Sequence, residues 1–99
     1  MRTSVFIPSF KRGQRLRTCL QSLNEQTVRP DEVLVVWQAD DSATRDLAES
    51  CRVELGYPLQ ILYSPVAGVV PAENAALDAA TGEIILLIDD DAIAPRDWI

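Results

Sequence analysis

The sequence predicts an α/β fold in which a parallel sheet of about four strands is covered by helices on both faces. Short runs of β-branched and other apolar residues alternate with segments whose apolar residues recur at helical spacing. The strand runs are continuously apolar, as strands buried on both faces are. A helix-length segment separates each run from the next, which is what a parallel crossover requires.

Val5-Phe6-Ile7 is the first strand, stopped by Pro8, and Leu16, Leu20 and Leu23 mark a helix that runs up to Gln26-Thr27. After Pro30-Asp31, Val33-Leu34-Val35-Val36-Trp37 is the second strand, and Leu47, Cys51 and Leu55 recur every four residues along a second helix. Gly56-Tyr57-Pro58 breaks that helix ahead of a third strand, Leu59-Gln60-Ile61-Leu62-Tyr63. Residues 71–80 are an alanine-rich helix with Gly82 as its C-terminal cap, and residues 83–88 form the fourth strand. Trp98 and Ile99 read as the first turn of a further helix. No linker or low-complexity segment interrupts the pattern, so residues 1–99 are expected to form a single domain around one core.

The chain carries 9 basic and 15 acidic residues, a formal net charge of −6, which opposes nonspecific binding to nucleic acid or to an anionic membrane surface. No apolar stretch reaches the roughly 20 residues of a membrane helix. The N-terminus lacks a signal-peptide apolar region, so a cytoplasmic location is expected. The sequence has no histidine, which removes Ser-His-Asp triads, Cys-His dyads and ordinary zinc sites. Cys19 and Cys51 fall on the apolar faces of the first two helices and are expected as buried free thiols.

The fourth strand ends in Asp89-Asp90-Asp91. Three adjacent carboxylates repel one another, and a hard divalent cation relieves that repulsion well. Ligands of parallel sheets bind beyond the carboxyl ends of the strands. The triplet should therefore converge with Pro8-Ser9-Phe10-Lys11, Trp37-Gln38-Ala39-Asp40-Asp41 and Tyr63-Ser64-Pro65. Acidic, aromatic and basic groups at one edge suit a metal-bound nucleotide. Lys11 and Arg12 could meet phosphate, Lys11 the better placed of the two, while Lys11, Arg12, Arg15 and Arg17 together read as a solvated helix face. Phe10 suits base stacking and packing beneath the first helix equally, and Asp40, Asp41 and Ser42 suit capping of the second helix as well as ligand contact.

Several motifs follow one another along the whole chain. Val5-x-Ile7-Pro8-Ser9-Phe10 opens it, and Leu20-Gln21-Ser22-Leu23-Asn24-Glu25-Gln26-Thr27 ends the first helix. Pro30-Asp31-Glu32-Val33 leads into the second strand, and Gly68-Val69-Val70-Pro71-Ala72-Glu73-Asn74-Ala75-Ala76-Leu77 opens the third helix. Ala80-Thr81-Gly82-Glu83 precedes the fourth strand, and Asp89-x-Asp91 is followed by Pro95-x-x-Trp98. In this order and spacing they resemble the N-terminal, nucleotide-binding portion of a family 2 glycosyltransferase with the GT-A fold.

The resemblance implies a Rossmann-like sheet with strand order 3-2-1-4, a partial GT-A fold. It implies a nucleotide diphosphate sugar as donor, with the base near Pro8, Ser9 and Phe10, and a divalent cation, Mn2+ or Mg2+, held mainly by Asp91. Asp89 or Asp90 would reach the ribose or support the metal shell, and Asn74 would face the ligand. The family's usual Asp-Asp-Gly-Ser turn is replaced by Trp37-Gln38-Ala39-Asp40-Asp41-Ser42. Counting from the strand puts Trp37 or Gln38 at the base-contacting position, and a short shift puts Asp40 there. Glu73 stands where the family commonly has arginine.

The implied reaction is sugar transfer to the hydroxyl of an unidentified acceptor, with inversion. The general base would lie beyond these residues, which are expected to be the inactive N-terminal part of a longer enzyme. In that strand order the fourth strand is an open edge through which a homodimer is possible. Other readings are a non-catalytic nucleotide-binding or interaction module of the same fold and a magnesium-dependent phosphotransfer domain. A P-loop, a nucleophilic Asp after the first strand and a Gly-rich phosphate loop near the start are all missing from the sequence, which disfavours the usual phosphotransfer folds.

Overall fold

The computed structural model describes residues 2–99, without the side chain of Val69; Met1, the first residue of the expected domain, lies outside the described residues. The elements are β1 (Thr3–Ser9), α1 (Gln14–Asn24), β2 (Glu32–Gln38), α2 (Ser42–Cys51), β3 (Leu59–Ser64), α3 (Val69–Ala79) and β4 (Ile84–Leu87). The four strands are parallel in the order β3-β2-β1-β4, as the sequence predicts.

Side chains alternate across the sheet. Val5, Ile7, Val33 and Val35 pack against Leu16, Cys19, Leu20 and Leu23 of α1 and against Ala48 and Cys51 of α2. Phe6 and Val36 point to the other face and meet Ala72 and Ala76 of α3. The chain steps outward from β1 to β3 with α1 and α2 on one face, then returns across β1 to β4 with α3 on the opposite face. Right-handed crossovers demand that switch of face when the direction of winding reverses. The reversal leaves a crevice between the carboxyl ends of β1 and β4. Among the described residues no helix is long and apolar enough to cross a membrane.

Some boundaries differ from expectation. β1 continues past Pro8 to Ser9. The Ile88 N–H donates to the Phe6 carbonyl (3.2 Å), so even-numbered residues of β1 direct their backbone groups towards β4. The β1–β4 pairing ends at Phe6 with Leu87, and the N–H that Pro8 lacks falls beyond the ladder. Leu55 follows a short 3-10 turn, Arg52–Glu54, rather than closing α2, yet still packs on the core. The Trp98 N–H bonds the Pro95 carbonyl (3.0 Å) in a turn, and no helix begins there.

Gly82 does not cap α3, which closes with the Ala80 N–H on the Ala76 carbonyl (2.8 Å) and Ala80 extended. Its N–H donates instead to the Ser4 hydroxyl (2.9 Å). A Cβ at that position would lie 2.7 Å from the Ser4 backbone nitrogen, so no side chain fits. The same hydroxyl donates to Glu32, buried at the start of β2 (2.6 Å). Glu32 also accepts from the Thr81 N–H (2.6 Å), the Thr81 hydroxyl (2.9 Å) and the Gln60 amide (3.0 Å). Burial pushes this carboxyl up, but its hydrogen bonds outweigh burial and hold it at about 2.

Cys19 and Cys51 are buried and free, as expected. Burial, reinforced by the charges of Asp90, Asp91 and Asp89, pushes the Cys19 thiol up to about 12, which makes it inert.

Candidate functional site

An open cleft of about 310 Å³ occupies the carboxyl edge where the strand order reverses. Pro8, Phe10 and Arg12 enter it from the end of β1, Gln38 from the end of β2, Ala67 and Gly68 from the approach to α3, and Asp89 and Asp90 from the end of β4.

Two buried carboxylates hold the segment between β1 and α1. Asp90 accepts from the Ser9 hydroxyl, the Phe10 N–H and Arg12 Nε, each at 3.0 Å. Asp41 accepts from the Lys11 N–H (2.7 Å) and from the Thr44 hydroxyl. Lys11 has a φ of 54°, a left-handed conformation that costs a side-chain-bearing residue about 1–2 kcal/mol, and the bond to Asp41 offsets part of that cost. The ion pair between Arg12 and Asp90 pushes the arginine pKa up, with a further rise from the charges of Asp91 and Asp89.

The residues singled out from sequence therefore divide. Pro8, Phe10, Gln38, Asp89 and Asp90 line the cleft. Ser9 is buried and touches it only through Asp90. The exposed Lys11 places its Nζ 5.1 Å from the centroid of the Phe10 ring. Lys11, Asp40, Asn74 and Asp91 are exposed and lie outside the cleft lining. Sequence reasoning missed Gly68 and the loop-holding role of Asp41, and offered Arg12 as a phosphate contact or part of a solvated face without its ion pair to Asp90. Phe10 resolves towards the cleft, the residue being 39% exposed rather than packed beneath α1.

A divalent cation was expected here. Among the described residues no group of three His, Cys, Asp or Glu side chains is arranged to hold one. Asp90 is committed to the loop, whereas the side-chain carboxylates of the exposed Asp89 and Asp91 take no hydrogen bonds from the described residues. Two hard oxygen donors fit Mg2+ or Mn2+ when ligand phosphates and water complete the shell.

The segment beyond the aspartates is anchored to the last turn of α1 and to the turn that follows it. The Ala94 N–H donates to the Ser22 hydroxyl (3.0 Å), the Thr27 N–H to the Arg96 carbonyl (2.7 Å) and the Ile99 N–H to Gln26 Oε1 (3.1 Å).

The uncharacterized glycosyltransferase YibD of Escherichia coli is 32% identical to this chain, over 93% of the chain and 27% of its own length. The chain spans about a quarter of the length of the first curated relatives it matches. Among solved structures, TarS 1–349 of S. aureus superposes with a TM-score of 0.82 at 28% identity, covering 97% of this chain and 29% of that one. TarS 1–349 is also solved in complex with UDP and with UDP-GlcNAc. The mannosyltransferase PcManGT from Pyrobaculum calidifontis, in complex with GDP-Man and Mn2+, gives a TM-score of 0.78 at 32% identity, over 96% of this chain and 29% of its own. The model of the family described as Glycosyl transferase family 2 matches residues 4–99, from the first strand of the sheet through the aspartates to the tail anchored on α1, and the chain belongs to that family.

Proposed function

We propose that this chain is the donor-binding portion of a cytoplasmic glycosyltransferase. It binds a nucleotide diphosphate sugar together with Mn2+ or Mg2+, and the sugar passes to an acceptor hydroxyl with inversion. The carboxylate base that inversion requires would lie outside these 99 residues. The supporting observation is the cleft itself, lined by the Asp89 carboxylate, which takes no hydrogen bond from the described residues, and by an aromatic ring, an arginine and an amide. Relatives solved with UDP, UDP-GlcNAc and GDP-Man support the same reading.

In this proposal Pro8 and Phe10 offer a flat apolar wall to the base, and Gln38 meets its polar edge. Ser9 and Asp90 hold the wall in place. Lys11 and Arg12 face the diphosphate. Asp91 is the principal metal ligand and Asp89 supports it or reaches the ribose. When bound, the cation neutralises the diphosphate and stabilises its departure as a leaving group.

Calorimetric titration of UDP, GDP and dTDP into the chain, with and without Mn2+, tests this reading. Binding of at least one is expected to require the metal and to weaken by more than about tenfold in Asp91→Ala. Metal-independent binding unaffected by the substitution would remove the metal role. No binding of any of the three to a folded chain would remove the donor reading.

The homodimer expected from sequence would use the open edge of β4, where Ile84, Ile85 and Leu87 are exposed. Sedimentation at high protein concentration should then show a dimer, and a monomeric mass would count against it.

A further inference from the structure

We infer that Gln38 reads the nucleobase as a hydrogen-bond donor, selecting bases that present a carbonyl at that edge over their amino counterparts. The inference rests on the donor-binding reading above and adds which bases the cleft accepts.

Gln38 ends β2, is 5% exposed and lines the cleft. The Gly68 N–H lies 2.7 Å from its Oε1. A backbone N–H has only a proton to offer, so the amide oxygen must face it, and the hydrogen-bond partner fixes the orientation of the amide. Gly68 itself is held at φ 128° and ψ 162°, a conformation that essentially only glycine adopts, so its N–H keeps one direction.

The Nε2 group is turned away from Gly68. It has no hydrogen-bond partner among the described residues and is not sealed off as a buried unpaired group. Its N–H bonds are therefore available to an occupant of the cleft, beside the apolar wall of Pro8 and Phe10. The Asp90 carboxylate, which also lines the cleft, takes its hydrogen bonds from Ser9, Phe10 and Arg12 and none from Gln38 among the described residues.

Uracil and guanine carry an exocyclic carbonyl where cytosine and adenine carry an amino group. Opposite Gln38 Nε2, a carbonyl completes a hydrogen bond. An amino group there sets two donors against each other, with the loss that follows when a desolvated polar group finds no partner.

The test is the affinity of the 99-residue chain, with Mn2+ present, for UDP against CDP and for GDP against ADP. A preference for the carbonyl-bearing member of at least one pair by about tenfold or more is expected. Gln38→Glu keeps an acceptor for the Gly68 N–H and replaces the donor with a second acceptor. It should shift that preference towards CDP or ADP, even if its added charge weakens every diphosphate together. Equal affinities within both pairs for the native chain, or a ratio that Gln38→Glu leaves unchanged, would overturn the inference while leaving the donor-binding reading in place. No binding of any of the four to a folded chain would overturn that reading and this inference with it.

Discussion

A Glu32→Ala chain is expected to unfold with about 3 kcal/mol less free energy than the native chain at neutral pH, a large fraction of the 5–15 kcal/mol typical of a small domain. The truncation leaves the Ser4 hydroxyl, the Thr81 N–H and hydroxyl and the Gln60 amide without their acceptor. Because Glu32 is held at about 2 rather than its ordinary 4.5, its charged form stabilises the folded state. That contribution is fully present above pH 4.5 and is lost as pH falls through the window down to about 2. A difference of this size is worth roughly 3 kcal/mol.

Glu32→Gln retains an acceptor for the Ser4 and Thr81 donors but cannot titrate. Urea unfolding of the three chains at pH 7, 4.5 and 3 separates the effects. The native chain should lose its advantage over Glu32→Gln across the acid window, while Glu32→Ala should already be weak at pH 7. A constant difference between native and Glu32→Gln at all three values would show that Glu32 does not carry the acid sensitivity.

The second large effect is expected at Asp90. Asp90→Ala deprives the Ser9 hydroxyl and the Phe10 N–H of their acceptor and frees Arg12. Because Arg12 is partly exposed and can be rehydrated, the stability loss should be about 2–3 kcal/mol rather than the larger cost of stranding a fully buried charge. The greater consequence falls on the cleft, since Phe10 and Arg12 lose their fixed positions. Nucleotide affinity is expected to drop by more than about 100-fold, as displaced positioning groups allow. Asp90→Asn keeps one oxygen for Ser9 and Phe10 and loses only the arginine pair, so both effects should be smaller. Guanidinium unfolding and nucleotide titration on the same two variants check this, and native affinity in a folded Asp90→Ala chain would show that the loop needs no such support.

The strands and helices were legible because each is written locally, in apolar runs and in leucines at helical spacing. Strand order and the convergence of loops at the carboxyl edge also followed, from the family resemblance and from how parallel sheets wind. What local pattern cannot show is which of several adjacent polar groups the fold consumes. Arg12 looked like one of a run of surface cations, and its partner Asp90 is 78 residues away. Asp90 itself was interchangeable with Asp89 in sequence, and only the arrival of β4 beside β1 determines which carboxylate turns inward. Asp41 and Gly68 escaped for the same reason, each meeting its partner 30 residues away. Pro8 and Gly82 were misread by local rules, because the first falls where the ladder has ended and the second makes room for a neighbouring strand.

The two attachments of the aspartate-bearing tail to either end of α1 make the helix a gauge of fixed length. Its 11 residues span about 16 Å between the loop gripped by Asp90, just before the helix, and the Gln26-Thr27 turn just after it that secures the tail. Inserting or deleting one residue within α1 would turn one end relative to the other by about 100° and shift it about 1.5 Å along the axis. The tail could then meet one fastening but not both. Length variation in this part of the chain should therefore collect in the stretch after α2, which carries no part of the cleft, while α1 keeps its residue count even where its exposed side chains change freely.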